Sequence, residues 1–492
     1  MNLFKIPIYQ LYLFQLENYE LKRYFRLLAK KGLLPPKESL RKSLVWTAKA
    51  RMIFALAGAT YAGLLILAII FTYQTGLSVL SIKYYVLCIT LIPLYFILYT
   101  LYSVILWPMD WLAKSIIINQ AKSKIKNQKS KITIIGIAGS YGKTTMKEVL
   151  RQVLSIKYKV LSTPESVNTP VGIARWILRQ IDETAQIIIV EMGEYYQGDI
   201  IELCKLMPPD IGILTGINEA HLERMRTPDK IIATIFEIVQ GMKEKGLLVL
   251  NGDDKNVMKN YYKYVRPGQE REKFQISNFK FQQFNSVNLC WECEHVSLGE
   301  LKIHLLGEYA LGDVDCAIKI GKILGMDNEA IKQGIKKIRP ISHRLEPGFS
   351  PGNILVIDDA YNGNPDGARE AIKVVSRFEG RRKIYITPGL VEIGSGSREI
   401  HLEIGRQLAA VADVVILIRN SVSSFIQEGI NESIKYPPSA KISGGRQVSS
   451  IKEKKSEIIW FNTAPEAHAA LSKILKPNDV ILFQNDWGDQ YL

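Results

Sequence analysis

From Met52 to Tyr73 the chain carries 22 residues without a charge, and a second uncharged run extends from Tyr84 to Met109. Each is long enough to cross ~30 Å of hydrocarbon as a helix. Pro93 inside the second run would kink such a helix without excluding it. After Lys131 the texture changes. Short apolar runs (KITIIGIAG, YKVLSTP, AQIIIVEMG, DIGILTG, GLLVLNGDD) alternate with stretches of helical periodicity. That alternation predicts a mostly parallel sheet with helices on its faces.

The flanks of the uncharged runs set their expected orientation. Arg41, Lys42, Lys49 and Arg51 precede the pair, and Lys114, Lys122, Lys124, Lys126, Lys129 and Lys131 follow it. The loop between them, 74–83, holds one Lys. Positive residues mark the cytoplasmic side, so the pattern predicts a transmembrane hairpin in the inner (plasma) membrane with both ends inside. The first run starts after a long charged segment, unlike a cleaved signal peptide. Ahead of it, residues 8–31 alternate apolar positions (Leu11, Phe14, Leu21, Phe25, Leu28) with Lys22, Arg23, Arg26, Lys30 and Lys31, and Gly32 supplies a stop. The pattern fits a helix on the inner leaflet and equally a helix packed on the soluble body.

Charge sharpens this division. The net +15 of the 492 residues looks at first like a nucleic-acid binder. Residues 1–131, however, hold 18 Lys and Arg against 4 Asp and Glu, which leaves 45 against 44 in the rest. The basic excess lies beside the apolar runs, and no aromatic-basic interleaving follows Lys131, so nucleic acid is not an expected partner. Hydrophobic residues at 47% exclude a largely disordered chain. Five cysteines cannot frame a protein of this size, and Cys290-Trp-Glu-Cys293 reads as part of a strand pair rather than a metal or redox centre.

Candidate chemistry begins where the first β-run ends, at Gly136-Ile-Ala-Gly139-Ser140-Tyr141-Gly142-Lys143-Thr144-Thr145, just before the helical stretch MKEVLRQVL. Glycines let backbone amides turn toward a phosphate, and a helix N-terminus adds a positive dipole end. In such a loop Lys143 reaches the β- and γ-phosphates of ATP and Thr144 offers its hydroxyl to Mg2+. The general pattern G-x-x-x-x-G-K would place a glycine at 137, where Ile137 stands; here the glycine is Gly139.

With that shifted glycine, the loop resembles the nucleotide loop of the Mur ligases and their folylpolyglutamate synthetase relatives. Further stretches resemble the family in order: Asn168-Thr-Pro-Val-Gly172, Val190-Glu191-Met192-Gly193 with Gly198-Asp199-Ile200, Asn218-Glu219-Ala220-His221-Leu222-Glu223 and Leu250-Asn251-Gly252-Asp253-Asp254. In the last third, His343-Arg344-Leu345-Glu346, Asp358-Asp359-Ala360-Tyr361-Asn362-Gly363-Asn364-Pro365 and Thr387-Pro-Gly-Leu-Val-Glu392-Ile-Gly394 continue the match. The Asp-Asp-x-Tyr-Asn-x-Asn-Pro run resembles the branch that adds D-alanyl-D-alanine in peptidoglycan synthesis.

The resemblance implies an α/β fold, a P-loop central ATPase domain plus a Rossmann-like C-terminal domain, here preceded by the two-helix transmembrane hairpin. It implies an ATP-dependent carboxylate–amine ligase working through an acyl phosphate. Lys143, Glu191 and His221 would be catalytic. The loop Gly139–Thr145, with Arg344 and Asp358, would bind ATP. Thr144 and Glu191 would hold the first Mg2+, and His221 a second metal. Several relatives carry a carbamylated lysine after the histidine; the corresponding stretch here, Ala233–Glu237, has no lysine, so either Glu237 fills that role or no residue does. Adenine-side residues depart from the family: Tyr309-Ala310 and Asp313 stand where His-Asn and a later Asn are usual, and the last strand, Ile481–Trp487, lacks the usual lysine-glycine pair.

The expected organisation is a basic segment (1–50), the hairpin (51–110), a basic linker (111–131), the central domain (132–342) and the C-terminal domain (343–492). The family's N-terminal domain, which grips a UDP-sugar, has no recognisable counterpart. Expected partners are the membrane and a peptide or amino-acid substrate of a cell-wall precursor, with a lipid-linked form among the candidates. A nucleotide-binding scaffold without ligation, or a ligase for another polymer, are the competing readings.

Overall fold

The computed structural model describes residues 5–16, 19, 21–32, 44–75, 79–127, 132–165, 167–194, 196–218, 222–361, 363–390, 393–435 and 456–484. These form two compact units that divide between Ile116 and Ile117.

The first unit is helical: α1 (Lys5–Leu16), α2 (Leu21–Lys31), α3 (Ala48–Thr75) and α4 (Val79–Lys126), the last running past the division. The segment expected as one helix is thus two. Tyr19 at φ 62° turns the chain, its N–H donating to Phe14 O at 2.9 Å. Both short helices share an apolar cluster with α3 and α4, in which Leu11, Phe14, Tyr24, Ile53, Ala57, Leu98 and Tyr99 are buried. The two long helices lie antiparallel: Lys49 pairs with Asp110 at 2.9 Å, and Thr60 hydrogen-bonds Tyr102 further along. Among the described residues, Ile97–Lys126 is long and apolar enough to cross a membrane by length and composition. The expected linker at 111–131 is helical as far as Lys126.

The second unit begins with β1 (Thr133–Ala138), α5 (Lys143–Leu154), β2 (Val160–Ser162), α6 (Pro170–Gln180), β3 (Ile187–Glu191), α7 (Asp199–Leu206), β4 (Ile211–Leu214), α8 (Leu222–Met225), α9 (Pro228–Gly241), β5 (Leu247–Asn251), α10 (Lys255–Asn260) and β6 (Arg271–Phe274). The six strands form one parallel sheet in the order β2-β3-β1-β4-β5-β6. Their side chains alternate between two cores. Ile135, Ile137, Ile189 and Ile213 face α5, while Ile134, Ala138, Ile188 and Leu214 face α6, α7 and α9. Burial on both faces explains why these strands read as continuous apolar runs.

The antiparallel strands β7 (Phe279–Asn285), β8 (Cys290–His295) and β9 (Gly299–Ile303) then lead to α11 (Tyr309–Ile323) and α12 (Asn328–Lys336). Cys290 and Cys293 are unbonded thiols on β8, three residues apart in a period-two element and hence on opposite faces. A second sheet contains β10 (Glu346–Ser350), β11 (Ile354–Asp359), β12 (Lys383–Thr387), β13 (Val414–Ile418), β14 (Glu457–Phe461) and β15 (Val480–Gln484). Helices α13 (Pro365–Ser376), α14 (Ser397–Val411), α15 (Ser423–Lys435) and α16 (Ala464–Ile474) accompany it. Its order is β10-β11-β15-β12-β13-β14, parallel except for the edge strand β10. It too is covered on both faces, with Ile357, Tyr385 and Leu482 in one core and Ile384, Ile416 and Ile481 in the other.

Candidate active site

In the first sheet the chain leaves β1 toward β2 on one side and leaves β4 toward β5 on the other. A crevice therefore opens at the carboxyl ends of β1 and β4, the usual ligand position in an open α/β sheet. The loop Gly139–Gly142 fills its base. Gly139 adopts φ 152°, and a Cβ there would stand 2.1 Å from Thr215 Oγ1. Gly142 adopts φ 78° and caps α5 without a side chain, leaving the first-turn amides facing the crevice. Ser140 N donates to Gly216 O at 2.7 Å, and Thr215 Oγ1 donates to Tyr141 O. The Tyr141 ring lies over Gly216, its hydroxyl donating to Asp254 Oδ2 at 2.7 Å. Thr145, buried, begins the helical face beneath the loop.

Polar side chains converge on the start of α5. Lys143 Nζ donates to Gly139 O and stands 2.8 Å from Glu194 Oε1. Thr144 Oγ1 lies 3.2 Å from each oxygen of Glu191, which ends β3. One turn on, Lys147 is buried at 1% exposure, its Nζ donating to Thr163 O at 3.0 Å and standing 3.4 Å from Glu191 Oε2. A hydroxyl and a carboxylate at a helix start are a hard-oxygen donor pair of the kind Mg2+ takes, with water and phosphate completing its shell. The residues present fit that ion.

Other expected residues fall elsewhere. His221 lies outside the described residues. Glu237, on α9, turns to the start of α7. It accepts from Gly198 N at 2.6 Å and Ile201 N at 3.2 Å, capping the start of α7. Arg344 stacks its guanidinium 4.6 Å from the Tyr361 ring centre. Asp358 bonds His343 Nδ1 at 2.8 Å, and this contact raises the imidazole's pKa. Its neighbour Asp359 accepts from Leu345 N at 3.3 Å; burial pushes its carboxyl up to about 6, opposed by the nearby Arg344 charge. Asp313 is buried on α11, its Oδ2 without a hydrogen-bond partner among the described residues, and burial holds its carboxyl well above the usual range. The second sheet reaches the crevice directly: Asn218, after β4, donates to Asp366 Oδ2 at 2.7 Å and Asn364 Oδ1 at 3.1 Å, at the start of α13.

Sequence reasoning missed Glu194, Lys147 and Asp359. The first is signalled by a second carboxylate three places after Glu191, and the last by the doubled aspartate. Nothing in the local pattern marks Lys147 as buried.

A glycine-bent loop between a parallel strand and a helix, with an ammonium, a hydroxyl and two carboxylates gathered at the helix start, defines a phosphate-loop α/β protein. Residues 137–320 match the Mur ligase middle domain, and residues 343–484 match the Mur ligase, glutamate ligase domain; the chain belongs to the Mur ligase family. It is similar to the UDP-N-acetylmuramoyl-tripeptide–D-alanyl-D-alanine ligases of Bacillus subtilis, 27% identical over 301 residues, and Mycobacterium tuberculosis, 26% over 367. The match covers 60% of this chain and 64% of the former, and 71% and 70% for the latter pair. The chain thus spans about two-thirds of the length of these relatives. In fold it is similar to a MurF ligase from Thermotoga maritima solved with ADP, with a TM-score of 0.63 and 24% identity over 76% of this chain and 80% of that one.

Proposed function

We propose that this protein is an ATP-dependent carboxylate–amine ligase of peptidoglycan-type precursor synthesis, held at the inner membrane by α3 and α4 with its body in the cytoplasm. The observation that carries the reading is the convergence of Lys143, Thr144 and Glu191 on a glycine-bent loop at the start of α5. ATP would lie with its phosphates against the α5 amides, Lys143 bridging to the β- and γ-phosphates. A substrate carboxylate attacks the γ-phosphorus, ADP leaves, and an acyl phosphate forms. The amine nitrogen of the second substrate then attacks the acyl carbon, phosphate departs, and the amine loses a proton. Phosphoryl transfer of this kind is mostly positioning and charge neutralisation. Mg2+ held by Thr144 and Glu191 would neutralise phosphate charge, and the family pattern assigns His221 to a second metal. Arg344, beside Asp359 and over Tyr361, would meet the nucleotide from the second sheet.

Membrane attachment rests on the uncharged runs, the basic flanks and the composition of α3 and α4. Large apolar side chains stand exposed along both, among them Leu64, Leu67, Ile70, Leu101, Ile105 and Leu112. Such a surface is stable against lipid and a liability in water. An anchored enzyme would meet a membrane-confined, lipid-linked acceptor at a raised effective concentration.

The test is phosphate release by the full-length protein in liposomes, with ATP and Mg2+, across pairs of carboxylate acceptors and amines. Release that requires both partners supports ligation. Release indifferent to every pair would leave a nucleotide-binding scaffold. A preference for a lipid-linked acceptor over its soluble head group supports the anchoring role.

A further inference from the structure

Lysine is almost never fully buried without a partner that makes use of its charge. Lys147 sits on the sheet-facing side of α5 at 1% exposure, and its ammonium reaches the carboxyl ends of β2 and β3. There it donates to Thr163 O at 3.0 Å and stands 3.4 Å from Glu191 Oε2, with Glu148 Oε1 at 4.0 Å. Thr163 is itself fully buried, and its Oγ1 accepts from Glu191 N at 3.1 Å. Glu191 is thereby held at its backbone by Thr163, on the loop side by Thr144 and on the sheet side by Lys147. A methionine would fill the same space without the cost of burying a charge.

We propose that Lys147 is a positioning residue for the metal-ligand carboxylate: its ammonium fixes the Glu191 side chain so that the outward oxygen lone pairs face the Thr144 hydroxyl and a divalent cation bound there. This rests on the reading of Glu191 as a Mg2+ ligand. Groups that orient a metal ligand in this way typically contribute about 10–100-fold to metal affinity. The ammonium also repels the cation, so the two possible roles carry opposite signs and can be told apart.

The experiment is an electron paramagnetic resonance titration of Mn2+, as the Mg2+ probe, into the full-length protein in detergent with saturating ADP. Lys147→Met should bind Mn2+ about 10–100-fold more weakly than the wild type, with ADP affinity in the absence of metal changed less than about twofold. Lys147→Arg should recover part of the loss. Wild-type Mn2+ affinity in Lys147→Met, or tighter binding from relieved repulsion alone, overturns the proposal. Should Lys147→Met not fold, Lys147→Gln, which keeps a donor but no charge, carries the same expectation. Glu191→Gln in the same titration separates the two layers. Unchanged Mn2+ binding there overturns the ligand reading itself, whereas loss there with normal binding in Lys147→Met overturns only the role of Lys147.

Discussion

Replacing Lys143 by alanine tests the site and the fold together. Lys143 Nζ stands 2.8 Å from Glu194 Oε1, with side chains 12% and 2% exposed. Removing one member of a pair this deep takes the Lys143 charge away from a carboxylate in low dielectric, at a cost of roughly 3–5 kcal/mol. Lys143 keeps some solvent contact, so the lower end, about 3 kcal/mol, is expected. At about 2.1 cal/mol/K of unfolding entropy per residue, a unit of this size shifts by roughly 1–1.5 °C per kcal/mol, and the thermal midpoint should fall by about 4 °C. The same change removes the phosphate clamp and should slow phosphoryl transfer by about 10²–10³-fold. Differential scanning calorimetry and acceptor-dependent phosphate release read the two effects separately. Adding Glu194→Gln to Lys143→Ala should restore most of the midpoint and none of the rate, because the buried charge disappears while the clamp stays absent. A Lys143→Ala protein that melts like the wild type, or a double variant that melts as low as the single one, would falsify the buried-pair argument.

Three further expectations concern other elements. Asp359 is raised in the folded protein from an ordinary 3.8 to about 6, so the fold binds its proton more tightly than the unfolded chain and loses stability as pH rises from about 4 to about 6. Asp359→Asn should therefore gain at most about 3 kcal/mol at pH 7 and little at pH 4; in denaturant melts at both pH values, a loss at pH 7 would show that the sign is wrong, and equal changes would show that there is no shift. Glu237→Ala removes the acceptor for two amides of α7 and should cost about 1–3 kcal/mol, with Glu237→Gln costing less; equal midpoints for all three proteins would contradict the cap. In intact cells a membrane-impermeant thiol reagent should label Thr75→Cys, between the two apolar runs, from outside. Labelling of a cysteine placed in the second unit instead would reverse the orientation.

Periodicity and local chemistry settle what depends on neighbours in the chain. Alternating apolar runs and helical stretches specified a parallel sheet because strands buried on both faces must be apolar at every position, as Ile134, Ile135 and Ile137 are. The phosphate loop was legible for a similar reason: glycine spacing, lysine and threonine act within about ten consecutive residues, and the backbone angles at Gly139 and Gly142 require the glycines found there. Two long helices followed from two uncharged runs, while the turn at Tyr19 that splits α1 from α2 had no glycine or proline to announce it.

Partnerships across the fold could not be read in this way, since they depend on which strand ends the sheet order brings together. Glu237 could be read in the sequence only as one candidate for the second-metal side; the packing of α9 against α7 delivers it to a helix start whose amides need an acceptor. Asp358 and Asp359 are equivalent by composition; alternation along β11 gives the first to His343 and puts the second beside Arg344. Lys147 carries a charge and sits beside Glu148, so in the sequence it would pass for a solvated side chain. Only the placement of α5 over the ends of β2 and β3 buries it against Glu191, because burial is a property of what covers a residue and not of the residue itself.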